Sequence, residues 1–86
     1  MANDRKVSQS LQDYAAKFRV LVTIERYGIY GDEWDYVAQP ANPSHYPNVK
    51  PARLPVGNCG AAEMAIRMVA ERMGTGKHTT RGFVAA

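Results

Sequence analysis

All five prolines of this 86-residue chain fall at positions 40, 43, 47, 51 and 55. Proline fixes φ and removes a backbone donor, so the stretch from Pro40 to Pro55 is neither a helix nor a central strand. A loop of this length is unusual in a small domain, and such loops are often functional. Its last part, Val49 to Val56, can still lie along a sheet as a short edge strand.

Beyond the prolines, Gly57 to Met73 reads GNCGAAEMAIRMVAERM. This is the strongest periodic signal in the chain. At helical spacing Ala62, Ala65, Ile66, Val69 and Met73 share one face. Glu63, Arg67 and Glu71 share the other with alternating sign, a solvated stripe of i, i+4 pairs. Asn58 is the expected N-cap, and Gly74 stands where a helix ends in a left-handed residue. The small alanines let a sheet approach closely.

Before the prolines, the spacing of Leu11, Tyr14, Ala15 and Phe18 predicts a short helix through about Lys17. Ser8 or Ser10 caps it, Ser10 with Asp13 resembles the start of a capping box, and Asp13 and Lys17 make one i, i+4 pair. From Arg19 to Tyr27 the period becomes two. Val20, Val22 and Ile24 point one way and Arg19, Thr23 and Glu25 the other, with Leu21 as the exception. Gly28–Asp32 reads as a loop, and Glu33 to Gln39 alternates again, with Trp34, Tyr36 and Ala38 on one face. This is a β-hairpin. After the main helix comes GTGKHTTRGFVAA, mobile in its first part, with Thr79 to Val84 as a last strand or a tail. The expected architecture is α+β, in the order α-β-β-(β)-α-(β). A small antiparallel sheet, the hairpin plus edge strands, carries two helices on one face. Residues 1–86 form one domain, frayed at 1–7 and 85–86. The other sheet face is left to solvent or to a partner.

Size and charge narrow the function. A chain this short buries only about 60% of its unfolded surface, so it has room for one core. Cys59 is the only cysteine, which excludes an internal disulfide and suits a reducing, cytoplasmic setting. No run approaches the ~20 apolar residues of a membrane span, and MANDRKVSQS lacks the apolar core of a signal peptide. The formal charge of +3 permits weak attraction to nucleic acid or an acidic protein and excludes an acidic mimic of DNA.

No stretch carries a catalytic motif. Cys59, near the start of the main helix, is placed for a lowered thiol pKa, but no spacing brings His45 or His78 to it as a base; a small, partly buried core cysteine is the commoner role. Asp32, Glu33 and Asp35 are too few for Ca²⁺, which takes about six to eight oxygens. Gly74–Thr79 ends like a phosphate-binding loop, yet His78 follows Lys77 where Ser or Thr belongs, and the segment follows a helix, not a strand. Lys50, Arg53, Lys77, His78 and Arg81 form a positive patch if loop and tail meet, with Lys77, His78 and Arg81 as phosphate contacts; scattered surface charge is the alternative. Tyr30 at the hairpin tip and Tyr46 among the prolines have no periodic reason to be buried, and exposed tyrosines beside arginines suit an interface. Met64 and Met68 lie at the margin of the main helix's apolar face, where adaptable side chains meet partners. The expected partner surface is thus Tyr30, Tyr46, Lys50, Arg53, Met64 and Met68, with no cofactor and no metal.

The α-β-β-β-α order, with Ala61-Ala62-Glu63-Met64-Ala65 opening the last helix, resembles a double-stranded RNA-binding domain. That family holds phosphates with lysines at the start of this helix; here the positions are Asn58, Cys59 and Gly60. Small size, a hairpin plus a helix and the lack of a catalytic motif are similar to phage and mobile-element inhibitors such as the anti-CRISPR proteins, a likeness of type that rests on no motif. It implies a non-enzymatic protein that covers a site on a larger host protein or nucleoprotein complex, with homodimerisation as a further option. The nucleic-acid-binding module is the alternative, with at most weak, salt-sensitive binding expected.

Overall fold

Val20 and Val22 share one face of their strand, and Ala38 and Ala52 lie opposite Val22 and each other across the ladder, which gives that sheet face a continuous apolar strip. The computed structural model describes residues 6–27 and 33–86. Its elements are α1 (Gln9–Ala16), β1 (Val20–Tyr27), β2 (Glu33–Pro40), a 3₁₀ turn (Pro43–His45), β3 (Ala52–Pro55), α2 (Ala61–Met73), β4 (Gly76–Thr79) and β5 (Gly82–Ala85). Strands β1, β2 and β3 form an antiparallel sheet in that order, and β4 with β5 forms a separate hairpin. Both helices lie over the strip, so the α+β class read from the sequence is the one observed.

The core is made of small residues. Ala15, Phe18, Val20, Val22, Ala38, Ala52, Ala65, Ile66, Val69 and Ala70 form one buried cluster, and only Phe18, Ile66 and Val69 are large and fully enclosed. The expected face of α2 is the buried one, extended by Ala61 and Ala70, with Met73 half-buried at its end. Gly74 closes the helix in the left-handed region, at φ 79°.

Several local expectations are corrected. The N-cap of α2 is Gly60 at φ 73°, without a side-chain cap, and not Asn58. Glycine takes this conformation without a Cβ clash, so the entry turn is set by backbone and not by a capping side chain. Cys59 therefore precedes the helix and is exposed instead of partly buried. At α1 the cap is Ser8, whose Oγ accepts from the Leu11 N–H. Asp13 accepts from the Gln9 side-chain amide at 2.9 Å, in place of the expected pair with Lys17. The stripe on α2 also finds other partners. The Arg67 Nε donates to the Tyr14 hydroxyl at 3.0 Å, tying α2 to α1, and Glu71 faces His78 at 3.6 Å.

Of the stretches expected to fray, Val7 and residues 85–86 are anchored, while residues 1–5 lie outside the described residues. Val7 is buried in the core, and its carbonyl accepts from the Gln12 amide. Ala85 pairs with Gly76, and the Ala86 N–H donates to the Thr75 carbonyl. Thr79 to Val84 is not a single strand: the chain reverses between β4 and β5, with Gly82 at φ 109°. Phe83 from β5 packs edge-on against Phe18, with ring centroids 5.2 Å apart, and so closes one end of the core. Trp34 and Tyr36, which share a strand face with the buried Ala38, are half-buried: Tyr36 packs against the cluster, and the Arg26 guanidinium lies 5.2 Å from the Trp34 ring.

The expectation that no part of Pro40–Pro55 joins a central strand is corrected at its first residue, since Pro40 ends β2, the middle strand, opposite Val20. The last two prolines obey the pleat. In an antiparallel pair, residues whose N–H and C=O both face one neighbour alternate with residues whose groups face the other side. The Val56 N–H donates to the Trp34 carbonyl, which places Leu54 and Ala52 among the residues bonding inward to β2. Pro51, Arg53 and Pro55 then face outward, and Pro51 and Pro55 have no donor to present. The proline segment thus ends in a short edge strand, as its position allowed.

Candidate partner-binding cleft

The open face of the sheet carries a charge cluster. Arg53 at the centre of β3 donates to Glu25 at 2.8 Å and lies 3.6 Å from Asp35. Asp35 is only 8% exposed, so this arginine neutralises a nearly buried carboxylate. Val37 is buried on the same face, and Leu21 is 45% exposed there. Arg53 therefore has a structural task on this face in addition to any contact with a partner.

A cleft lies at the opposite edge of the sheet, along β1. One turn after another of α1 presents Gln9, Gln12, Asp13 and Ala16 along a single stripe. This stripe faces the edge of β1 that is unpaired among the described residues, at Arg19 to Val22, and the segment after β2 supplies Ala41, Asn42, His45 and Tyr46. Together they bound a cleft of about 600 Å³. A smaller hollow continues along the same edge past Val22, Thr23 and Ile24 to Lys6 and Val7. The proline segment folds back here because the Ala41 N–H bonds the Arg19 carbonyl and a 3₁₀ turn follows at once. The Asn42 amide and His45 ring make contact at 3.3 Å, which holds the turn closed.

Arg19 is the unusual residue of this cleft. Its φ is 60°, the only positive value of a non-glycine among the described residues. A left-handed non-glycine residue costs about 1–2 kcal/mol. It is held by the sharp passage from α1 into β1, where the Arg19 N–H bonds the Ala16 carbonyl. Among the described residues its guanidinium has no ion pair and no hydrogen bond.

The residues expected to form a partner surface are spread over the molecule. Tyr30 lies outside the described residues. Tyr46 is half-buried and lines the cleft. Lys50 is exposed; its carbonyl accepts from Arg72 at 2.9 Å, and it borders a separate hollow with Val49 and Pro51. Met64 is exposed on α2, whereas Met68 is half-buried and packs against the core. Of the expected phosphate contacts, Lys77 and Arg81 are exposed on the C-terminal hairpin, and His78 faces Glu71 and the Phe83 ring. With Arg53 held by two carboxylates and His78 beside a third, these five cations do not read as one uninterrupted basic surface. Among the described residues no three His, Cys, Asp or Glu side chains are grouped to hold a metal ion. No helix among them is long and apolar enough to cross a membrane.

Sequence reasoning singled out Tyr46 and missed its neighbours. The signal available was Leu21, an apolar side chain on the polar side of a strand with strict alternation. No protein family, curated protein or solved structure matches this chain.

Proposed function

We propose that this protein is a non-enzymatic protein-interaction module that engages its partner through the cleft between α1, β1 and the Ala41–Tyr46 turn. The observation that carries the reading is the cleft itself. It combines an exposed apolar side chain, Leu21, a half-buried tyrosine, Tyr46, and an arginine, Arg19, without a side-chain partner among the described residues. Aromatic and arginine side chains set in a concave, partly apolar surface are the usual anchors of protein interfaces. In its finer form, the module covers a site on a larger nucleoprotein complex, as inhibitors of the anti-CRISPR type do.

The test is capture of the partner from cell lysate by the immobilised protein, identified by mass spectrometry. Tyr46→Ala and Leu21→Ser reduce capture at least tenfold, with thermal melts close to the parent. Undiminished capture by both variants refutes the cleft. The nucleic-acid reading is favoured by one observation, the helix, three strands and helix in that order. It requires submicromolar binding of duplex RNA at physiological salt in a gel shift, with loss of binding on replacing Lys77 and Arg81.

A further inference from the structure

We infer that the cleft receives the C-terminal tail of a partner protein, added as an antiparallel fourth strand on β1 with its terminal carboxylate at Arg19. This rests on the protein-binding reading above and specifies the partner's chemistry. The argument begins with the register. Ala41 bonds Arg19, so Leu21, Thr23 and Glu25 bond inward to Gln39, Val37 and Asp35. The alternate residues Val20, Val22 and Ile24 turn their N–H and C=O groups outward. Among the described residues these outward groups make no hydrogen bond.

The two edges of the sheet are treated differently. At β3 the outward positions include Pro51 and Pro55, on a strand of four residues. That edge offers almost nothing to pair with. Strand β1 runs for eight residues with no proline and no lysine in it. An edge of this length and composition is a template for strand addition, and folded proteins normally blunt such edges or cover them. Here α1 stands beside it and leaves a groove, the arrangement in which extended peptides add to sheets.

Charge fixes the direction and the end. A strand antiparallel to β1 runs towards Arg19 with its C-terminus. There it meets the Arg19 guanidinium, which has no other partner among the described residues, with His45 and Asn42 lining the same end. A carboxylate is the complementary group, and arginine binds it with two parallel donors. Asp13, further back along α1, has one oxygen occupied by Gln9 and disfavours an acidic side chain in the middle of the tail. Pairing sets the rest. Tail residues opposite Val20, Val22 and Ile24 face the polar stripe of α1, which suits hydroxyl side chains. The residues between them lie beside Leu21 and Thr23 on the open face, which suits β-branched apolar ones.

The probe is acetyl-Thr-Val-Thr-Val-Thr with a free C-terminus, titrated into the ¹⁵N-labelled protein. Saturable shifts are expected at the amides of Val20, Val22 and Ile24, with hydrogen exchange at these three slowed at least tenfold. C-terminal amidation, or Arg19→Ala, weakens binding at least fivefold. N-methylation of the central threonine, which leaves the protein untouched, abolishes the protection. Equal binding of the free and amidated peptides overturns the terminal-carboxylate assignment. Protection that appears on raising the protein concentration alone, with a doubled mass in sedimentation, overturns it in favour of a second copy of this chain. Absence of any peptide effect, while Tyr46→Ala still abolishes partner capture, refutes strand addition and leaves the cleft reading standing. Loss of both refutes the two together.

Discussion

Replacing Gly76 by alanine tests the packing of the C-terminal hairpin. On backbone grounds the change should help. The φ of Gly76 lies outside the left-handed region, and removing a glycine from a strand stabilises by about 0.4–1 kcal/mol through the unfolded chain. The structure reverses the sign. A Cβ at this position overlaps Cε2 and Cζ of the Phe83 ring and lies 3.0 Å from the Ala70 Cβ. The ring cannot simply withdraw: Phe18 and His78 flank it, with centroids at 5.2 and 4.8 Å. Overpacking of this kind costs about 1–3 kcal/mol, so the net destabilisation is about 0.5–2 kcal/mol. For a domain of this size about 1 kcal/mol corresponds to 4–8 °C in Tm. Thermal unfolding followed by circular dichroism reads the change directly. Phe83→Leu in the Gly76→Ala background frees the space, so the double variant is more stable than the sum of the single losses predicts. A Gly76→Ala protein that melts at or above the parent temperature refutes the packing described for Phe83.

Arg53→Ala leaves Asp35 nearly buried without its partner and costs about 1–3 kcal/mol in urea unfolding, whereas Glu25→Ala removes only the exposed half of the cluster and costs about 0.2–1 kcal/mol; equal costs would show that Asp35 does not depend on the arginine. Tyr14→Phe removes the hydroxyl that accepts from Arg67 and lowers stability by about 0.5–1.5 kcal/mol, and a double-mutant cycle with Arg67→Met recovers most of that loss as coupling if the contact joins the two helices as described.

The elements that could be read from the sequence are those whose own period is strong. The buried face of α2 and the alternation of β1 are stated by residue type alone, because each repeats one pattern over most of its 13 and 8 residues. The third strand was legible for a different reason. Between Pro51 and Pro55 a chain can only be an edge, and the register places both prolines outward. What could not be read depends on contacts distant in sequence. The hairpin of β4 and β5 has two short strands of mixed composition, and its order comes from Phe83 reaching Phe18 across 65 positions of chain. The cap of α2 was missed because Gly60 supplies a left-handed backbone where a side-chain cap was expected from Asn58. At the candidate site, Tyr46 was legible as an aromatic without a periodic reason for burial. The left-handed Arg19 was not, since nothing in its residue type distinguishes it from any other strand-opening arginine.

The small-residue core explains why the C-terminal hairpin belongs to the fold. Alanines at 38, 52, 65 and 70 bring α2 close to the sheet but fill little volume. The few large side chains must therefore close the ends of the layer, and Phe18 does so under α1. Phe83 completes that closure by stacking on Phe18, and Gly76 has no side chain because the ring occupies its place. The pairing of His78 with Phe83 puts those two on the inner face of the hairpin, so Lys77 and Val84, paired one step away, face out. Of the basic residues that invite a phosphate-binding reading, Lys77 is thus carried on the back of a packing element, Arg81 in its turn, and His78 on its inner side. The outward groups of β1 and the guanidinium of Arg19, between α1 and β1, are the ones that find no partner among the described residues, which sets that side of the molecule apart from the hairpin.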